Sequence, residues 1–278
     1  MIGSVWHDES NRKVRLRRLA MVGGWQVWKR LVGTPVNVPL FNGFRFRAYA
    51  DCHISSAAVY SRIPNFRCLS FLRKHIEKGT LLDIGANVGL VSLLLADKID
   101  HAILFEPNPA AAARARENIA LNHLGFEVHE LALSDQRGVV ELENAGGVDS
   151  CNRTVVGFTT SAPTISVPRQ TLDSFLAQRG ALPAPISAVK IDVEGHENSV
   201  LRGMLGLLER HRPRLVMFEY LQRTNFAETL KLFSQAGYRV MELKAGAAAW
   251  ATLQTSPLQD LFACPEDLAA ELVSASPE

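Results

Sequence analysis

The sequence predicts an α/β fold: a mostly parallel, seven-stranded sheet with helices on both faces, preceded by an N-terminal helix and hairpin. Three observations carry this reading. From about residue 67, short apolar runs of strand length alternate with helical segments, which implies parallel strands joined by right-handed crossovers. A glycine turn, LLDIGANVGL at 81–90, joins the first of these strands to its helix. Ahead of the repeat, Asn42-Gly43 lies between VNVPLF and FRFRAYA and marks a hairpin.

In chain order, residues 1 to about 35 are expected to be helical, with Leu19, Val22, Trp25, Trp28 and Leu31 as a packing face. With the hairpin of Val36 to Ala50 this helix forms a cap, so the chain divides into an extension at 1–66 and a main domain at 67–278. TLLDI at 80–84 leads into VGLVSLLLADKI, and HAILFE at 101–106 leads into AAAARARENIALN. FEVHELALS at 126–134 is the third strand, and GVVELE at 138–143 follows a turn. AVKIDVE at 188–194 is the fourth, followed by one helix through NSVLRGMLGLLER, and RLVMFEY at 214–220 is the fifth. Ala227 to Ala236 is helical, and YRVMEL at 238–243 with DLFACP at 260–265 closes the sheet as a pair. The stretch from Asn144 to Pro168, rich in Gly, Ser, Thr and Asn around a strand-like RTVVGF, is a substrate lid or a surface excursion.

A chain of 278 residues that is 47% hydrophobic can bury one substantial core together with a smaller extension. Its formal net charge of +2 supplies no global field toward nucleic acid or membranes. Cys52, Cys68, Cys151 and Cys264 form none of the close pairs that zinc or redox motifs need, and read as reduced thiols of a cytoplasmic protein. No apolar run reaches the roughly 18 residues of a membrane span. The basic stretch RKVRLRR at 12–18, ahead of LAMVGGWQVW, gives the first helix a face that is either simply solvated or a peripheral contact to an anionic membrane.

The glycine turn carries the strongest chemical signal. Gly85 permits a tight turn, Gly89 permits a ligand to approach the backbone, and Ala86 and Asn87 lie between them. A dinucleotide site would use G-x-G-x-x-G so that amides face a pyrophosphate. Here Asp83 stands where the first of those glycines would lie, and a carboxylate suits the cationic amino group of S-adenosyl-L-methionine while opposing a diphosphate. Glu106, at the tip of the second strand, can accept both ribose hydroxyls. In LALSD at 131–135, Ser134 and Asp135 offer acceptors to the adenine amino group; the alternative is a turn with Asp135 as a local cap.

DIGANVGL, FEPNP, ALSD, VPRQTLDSFL, VKIDVEGHE with VLRGM, and RLVMFEY follow one another in an order and spacing that resembles the FkbM family of methyltransferases. The resemblance covers about residues 50–265, and KIDVEG after a TLD segment is its most specific part. It implies a Rossmann-like class I methyltransferase domain, S-adenosyl-L-methionine as cofactor, and O-methylation of a sugar, polyketide or other hydroxylated small molecule or glycan. It carries Asp83, Gly85, Asn87, Gly89, Glu106 and Asp135 over as cofactor contacts, and puts Asp192 at the border of cofactor and acceptor. His196 departs from the small residue that the family often has after EG.

Ligands bind at the carboxyl ends of parallel strands, where Asp192, Glu194 and Glu219 stand with His196 just beyond. Asp192 or His196 is the expected general base, although His196 also reads as a surface residue at a helix start, and Glu194 as a cap for that helix. No metal ligands are assigned; a magnesium-type divalent ion, if used, would take Asp192, Glu194 and Glu219. A nicotinamide enzyme fails on the glycine spacing. A nucleic-acid methyltransferase would need a basic track and lacks its proline-tyrosine motif, so no nucleic-acid partner is expected. A non-catalytic binding module is the remaining alternative, distinguished by turnover.

Overall fold

The computed structural model describes residues 8–143, 163–244, 247–255 and 259–274. Strands β1 (Val36–Pro39) and β2 (Arg45–Ala48) form the expected hairpin. Next come β3 (Thr80–Ile84), β4 (His101–Phe105), β5 (Glu127–His129), β6 (Ala132–Leu133), β7 (Gly138–Glu143) and β8 (Thr164–Gln170). The last five are β9 (Ile186–Ile191), β10 (Leu215–Tyr220), β11 (Tyr238–Lys244), β12 (Ala247–Trp250) and β13 (Gln259–Pro265).

The main sheet runs β12-β11-β13-β10-β9-β3-β4-β5. β5, β4, β3, β9 and β10 are parallel, and β13, β11 and β12 close the sheet antiparallel. The mixed α/β class is therefore as expected, with eight strands where seven were predicted. The added strand is AAAW at 247–250, which has no β-branched residue to announce it and forms by pairing with β11 alone. FEVHELALS splits: β5 stays in the main sheet, and β6 turns off after Leu131 into a three-stranded sheet, β6-β8-β7, beside it. RTVVGF and Cys151 lie outside the described residues. The other three cysteines are buried free thiols. Among the described residues, no helix is long and apolar enough to cross a membrane.

Every residue of β3 is buried, since helices cover both of its faces. Leu82 and Ile84 join Ile103, Phe105, Val189 and Ile191 in one core, while Leu81 joins Leu104, Ala188 and Phe262 in the other. The TLD segment is a structural junction. Thr171 Oγ1 accepts from Ser174 N at 3.0 Å as a helix cap, and Asp173 accepts from Gly206 N at 2.9 Å. The single helix expected after β9 is two, Glu197–Arg202 and Leu205–His211. They part at Gly203, where a Cβ would overlap the Ser134 carbonyl oxygen.

The N-terminal helix spans Arg15–Leu31 and only partly buries the expected stripe. Val22 and Trp25 are each 4% exposed, but Leu31 is 79% exposed. A strict three-residue step slips by roughly 60° per repeat around a helix of 3.6 residues per turn, so the stripe winds from the inner face to the outer one. Trp25, Phe46 and Val59 pack with Val88, Leu93 and Ala111, so the extension shares a core with the first two crossover helices. Burying Trp25 and Phe46 contributes about 2–3 kcal/mol each.

Candidate active site

The carboxyl ends of β3, β4, β9 and β10 open onto a cleft of about 340 Å³, within the size range of small-molecule sites. Its floor is the glycine turn. Gly85 has φ 73° and lies so close to β9 that a Cβ would overlap the Asp192 carbonyl oxygen, which confirms the tight-turn reading. Gly89 corrects the expectation attached to it. Its missing Cβ faces Leu104 and Ala115 in the core rather than the cleft, so glycine is needed there for φ 78° and for helix packing. Ala86 and Asn87 line the cleft between them.

Glu106, immediately after β4, is 5% exposed and lines the cleft wall. Its Oε2 accepts from Asn87 N and its Oε1 from Asn108 N, each at 2.8 Å. Burial pushes its pKa up to about 7 against the two backbone donors. Each oxygen keeps a lone pair, so a buried carboxylate short of donors faces the cleft, an arrangement that a ribose diol fits.

Asp83 is placed differently from the expectation. It is 0% exposed and lies behind the floor, outside the cleft wall. Ser92 Oγ donates to its Oδ2 at 2.7 Å, and Lys190 Nζ stands 3.4 Å from its Oδ1. Lys190, 4% exposed and next to the last residue of β9, donates to Gly85 O at 2.7 Å and stands 3.4 Å from Asp192 Oδ2. Burial pulls the Lys190 pKa down, but Asp192 and Asp83 more than offset it and leave the pKa raised. The ammonium thus ties the glycine turn to the acceptor edge. Its signal in the sequence is the lone cation in an otherwise apolar strand, AVKI.

The adenine-side expectation also changes. Leu131, Ala132, Leu133, Leu142 and Phe105 line that wall. Ser134 and Asp135 do not: Ser134 Oγ contacts His196 Nε2 at 3.0 Å, and Asp135 pairs with Arg202 at 3.1 Å. His196 lines the cleft, but its charged neighbours are Asp135, Arg169 and Arg202, and burial lowers its pKa. It stands with the LALSD turn rather than with the carboxylates at the ends of β9 and β10.

Those carboxylates do gather. Ligand oxygens of Asp192, Glu194 and Glu219 lie within 4.8 Å of one another. Burial, then Asp192, Glu194, Glu197 and Asp260, push Glu219 up to about 8, and its Oε2 has no hydrogen-bond partner. Asp260, opposite Glu219 in the β10–β13 register and missed in the sequence, is pushed up to about 6 by burial and by Asp192, while its bond from Asn65 acts in the other direction. Glu194 pairs with Arg223 at 3.4 Å. The helix at Glu197–Arg202 has no side-chain cap, and it is Glu197 rather than Glu194 that holds the preceding loop, its Oε1 accepting from Gly195 N at 2.9 Å and Val193 N at 3.3 Å.

A glycine turn at the first strand, a buried acid at the tip of the second and carboxylates at the fourth and fifth surround one cleft at the carboxyl edge of the mixed sheet, the frame of a methyltransferase domain. The Methyltransferase FkbM domain matches residues 83–240, more than half of the chain, and the chain belongs to that family. It is 29% identical over 161 residues to the hexuronic acid methyltransferase AglP of Haloferax volcanii. That match covers 58% of this chain and 63% of AglP, less than two thirds of that protein's length. Among solved structures, methyltransferase FkbM from Methylobacillus flagellatus KT is similar at 13% identity and TM-score 0.43, covering 89% of this chain and 60% of that one. The Pyrococcus abyssi tRNA (uracil-54, C5)-methyltransferase in complex with S-adenosyl-L-homocysteine is similar at 15% identity and TM-score 0.44, covering 82% and 43%.

Proposed function

We propose that this chain is an O-methyltransferase acting on a hydroxyl of a sugar or sugar-bearing acceptor. The observation that carries the reading is the carboxylate cluster of Asp192, Glu194 and Glu219 beside the glycine-turn cleft, because a hydroxyl of high pKa must lose its proton as it is methylated. The sugar class rests on the likeness to a hexuronic acid methyltransferase.

S-adenosylmethionine, when bound, supplies a methyl group on a sulfonium sulfur. Glu106 receives the ribose hydroxyls, the backbone of Gly85, Ala86 and Asn87 forms the floor, and the apolar wall from Leu131 to Leu133 encloses the adenine. With the cofactor bound, Asp192, its side chain 45% exposed at the cleft, would take the proton that the acceptor hydroxyl loses on methylation. Lys190 fixes the Asp192 carboxylate, and Glu219 stands beside it in the same cluster. The extension at 1–66 acts as a cap, since His53, Ile54, Ala57 and Asn65 line the same cleft.

Incubation with labelled S-adenosylmethionine and a panel of uronic acids, neutral sugars and their glycosides tests the reading. A sugar methyl ether is expected, with Asp192→Asn lowering kcat by about 10²-fold or more at similar cofactor affinity. Methylation at nitrogen or carbon, or an Asp192→Asn enzyme of full activity, refutes it. The same three carboxylates would also suit a hard cation. Activity lost to a chelator and restored by magnesium would replace the free base with a cation-stabilised alkoxide.

A further inference from the structure

The N-terminal helix presents a second face that the core does not use. Arg18, Val22 and Trp25 point inward: Arg18 donates to the carbonyls of Ala58 and Val59 at 3.2 and 3.0 Å, and Trp25 Nε1 donates to Ser56 at 3.2 Å. On the opposite side, Leu16, Ala20, Val27 and Leu31 recur at helical spacing and are exposed, Leu16 at 78%, Val27 at 57% and Leu31 at 79%. Arg17 and Arg30 are exposed along the edges of this stripe, and Arg12 and Lys13 precede it. From Asn11 to Ala50 the chain carries nine Lys and Arg and not one Asp or Glu. Because the whole protein is only +2, the rest of the chain is net acidic, and the positive charge is concentrated on this element.

An apolar stripe edged by cations, on a helix that itself carries no acidic residue, is complementary to a surface that is apolar beneath and anionic above. We infer that this face docks the protein onto anionic lipid bilayers, lying in the plane of the interface. The inward face of the same helix rests on helix His53–Tyr60, and His53, Ile54 and Ala57 of that helix line the cleft. Docking therefore holds the helix that walls this side of the cleft about one helix diameter, roughly 10 Å, from the lipid surface. An acceptor carried on a lipid would meet the site there, although the docking does not depend on the acceptor's identity.

Co-sedimentation of the full chain with phosphatidylcholine vesicles, with and without about a third of phosphatidylglycerol, tests the inference at about 0.1 M salt. Binding to the anionic vesicles alone is expected. Arg17→Glu with Arg30→Glu should weaken it at least about 25-fold, at roughly fivefold per cation lost. Leu16→Asp with Leu31→Asp should abolish it; both pairs are exposed, and an unchanged melting temperature shows that the variants fold. Arg137→Glu with Lys231→Glu, exposed cations elsewhere, should leave it unchanged. No binding to the anionic vesicles, equal loss in the control pair, or a dimer in solution that Leu31→Asp dissociates would overturn the inference, the last by assigning the stripe to a second copy of the chain.

Discussion

Replacing Lys190 by methionine removes the buried cation while keeping its volume. Asp83, 0% exposed, is then left with Ser92 as its hydrogen-bond donor and no counter-charge, and Gly85 O loses its 2.7 Å donor. Breaking one partner of a buried ion pair costs about 3–5 kcal/mol. At about 2–4 °C per kcal/mol for a chain of this size, the melting temperature falls by roughly 6–20 °C. Urea unfolding and calorimetry read both figures. The double variant Asp83→Asn with Lys190→Met carries neither charge and recovers most of the loss, so the cycle shows a coupling of about 2 kcal/mol or more. A single variant that loses less than about 1 kcal/mol, or a double variant no better than the sum of the singles, would refute the claim that this ammonium ties the floor together.

Glu106→Gln puts an amide where two backbone N–H groups and a diol need acceptors. Cofactor affinity measured by calorimetry should fall about 10- to 150-fold, the value of one or two charge-assisted hydrogen bonds. With its pKa raised to about 7, Glu106 accepts from both diol hydroxyls with full charge assistance only when ionised, so affinity in the parent protein should climb with pH to about 7 and level off above it, a profile absent in the variant. Glu219 has its pKa raised above the ordinary value, so its contribution to stability is intact in acid and is lost as pH rises through about 8; Glu219→Gln should stabilise the protein at pH values above that by about 1–2 kcal/mol after allowance for its half-exposure, read by urea unfolding. The kcat/KM profile should rise along a limb with an apparent pKa near 8 that belongs to the carboxylate cluster, and Glu219→Gln should move it. Gly85→Ala meets both a positive φ and the Asp192 carbonyl, and should leave too little folded protein to bind cofactor, judged by circular dichroism and expression in the soluble fraction.

How far the sequence speaks differs from residue to residue. Strands such as TLLDI and HAILF are announced by unbroken apolar runs, and the helix after FEPNP by Asn108 as its cap and Pro109 at its first turn, so the parallel half of the sheet is legible. The β12 strand is silent because alanine has no strand preference, and the break at Gly203 is silent because its cause is a carbonyl some 70 residues away in the chain. In the site, Glu106 and Gly85 are readable because local turn chemistry dictates their places. Asp83, Gly89 and Asp135 keep company set by long-range packing, with Lys190, Ala115 and Arg202, which no spacing rule contains. Asp260 is the extreme case: only the antiparallel return of β13 brings it opposite Glu219.

The Lys190 tie has a consequence for how such a protein diversifies. One ammonium grips the Gly85 carbonyl and the Asp192 carboxylate, the groups that the proposed function assigns to donor and acceptor, so on that reading the two halves form a single rigid chassis. A change made there to suit a new acceptor would disturb the donor as well. The N-terminal cap lines the same cleft through His53, Ile54 and Ala57, and it is the interchangeable part, free to be recast for a different acceptor while the methyl donor's seat stays as it is.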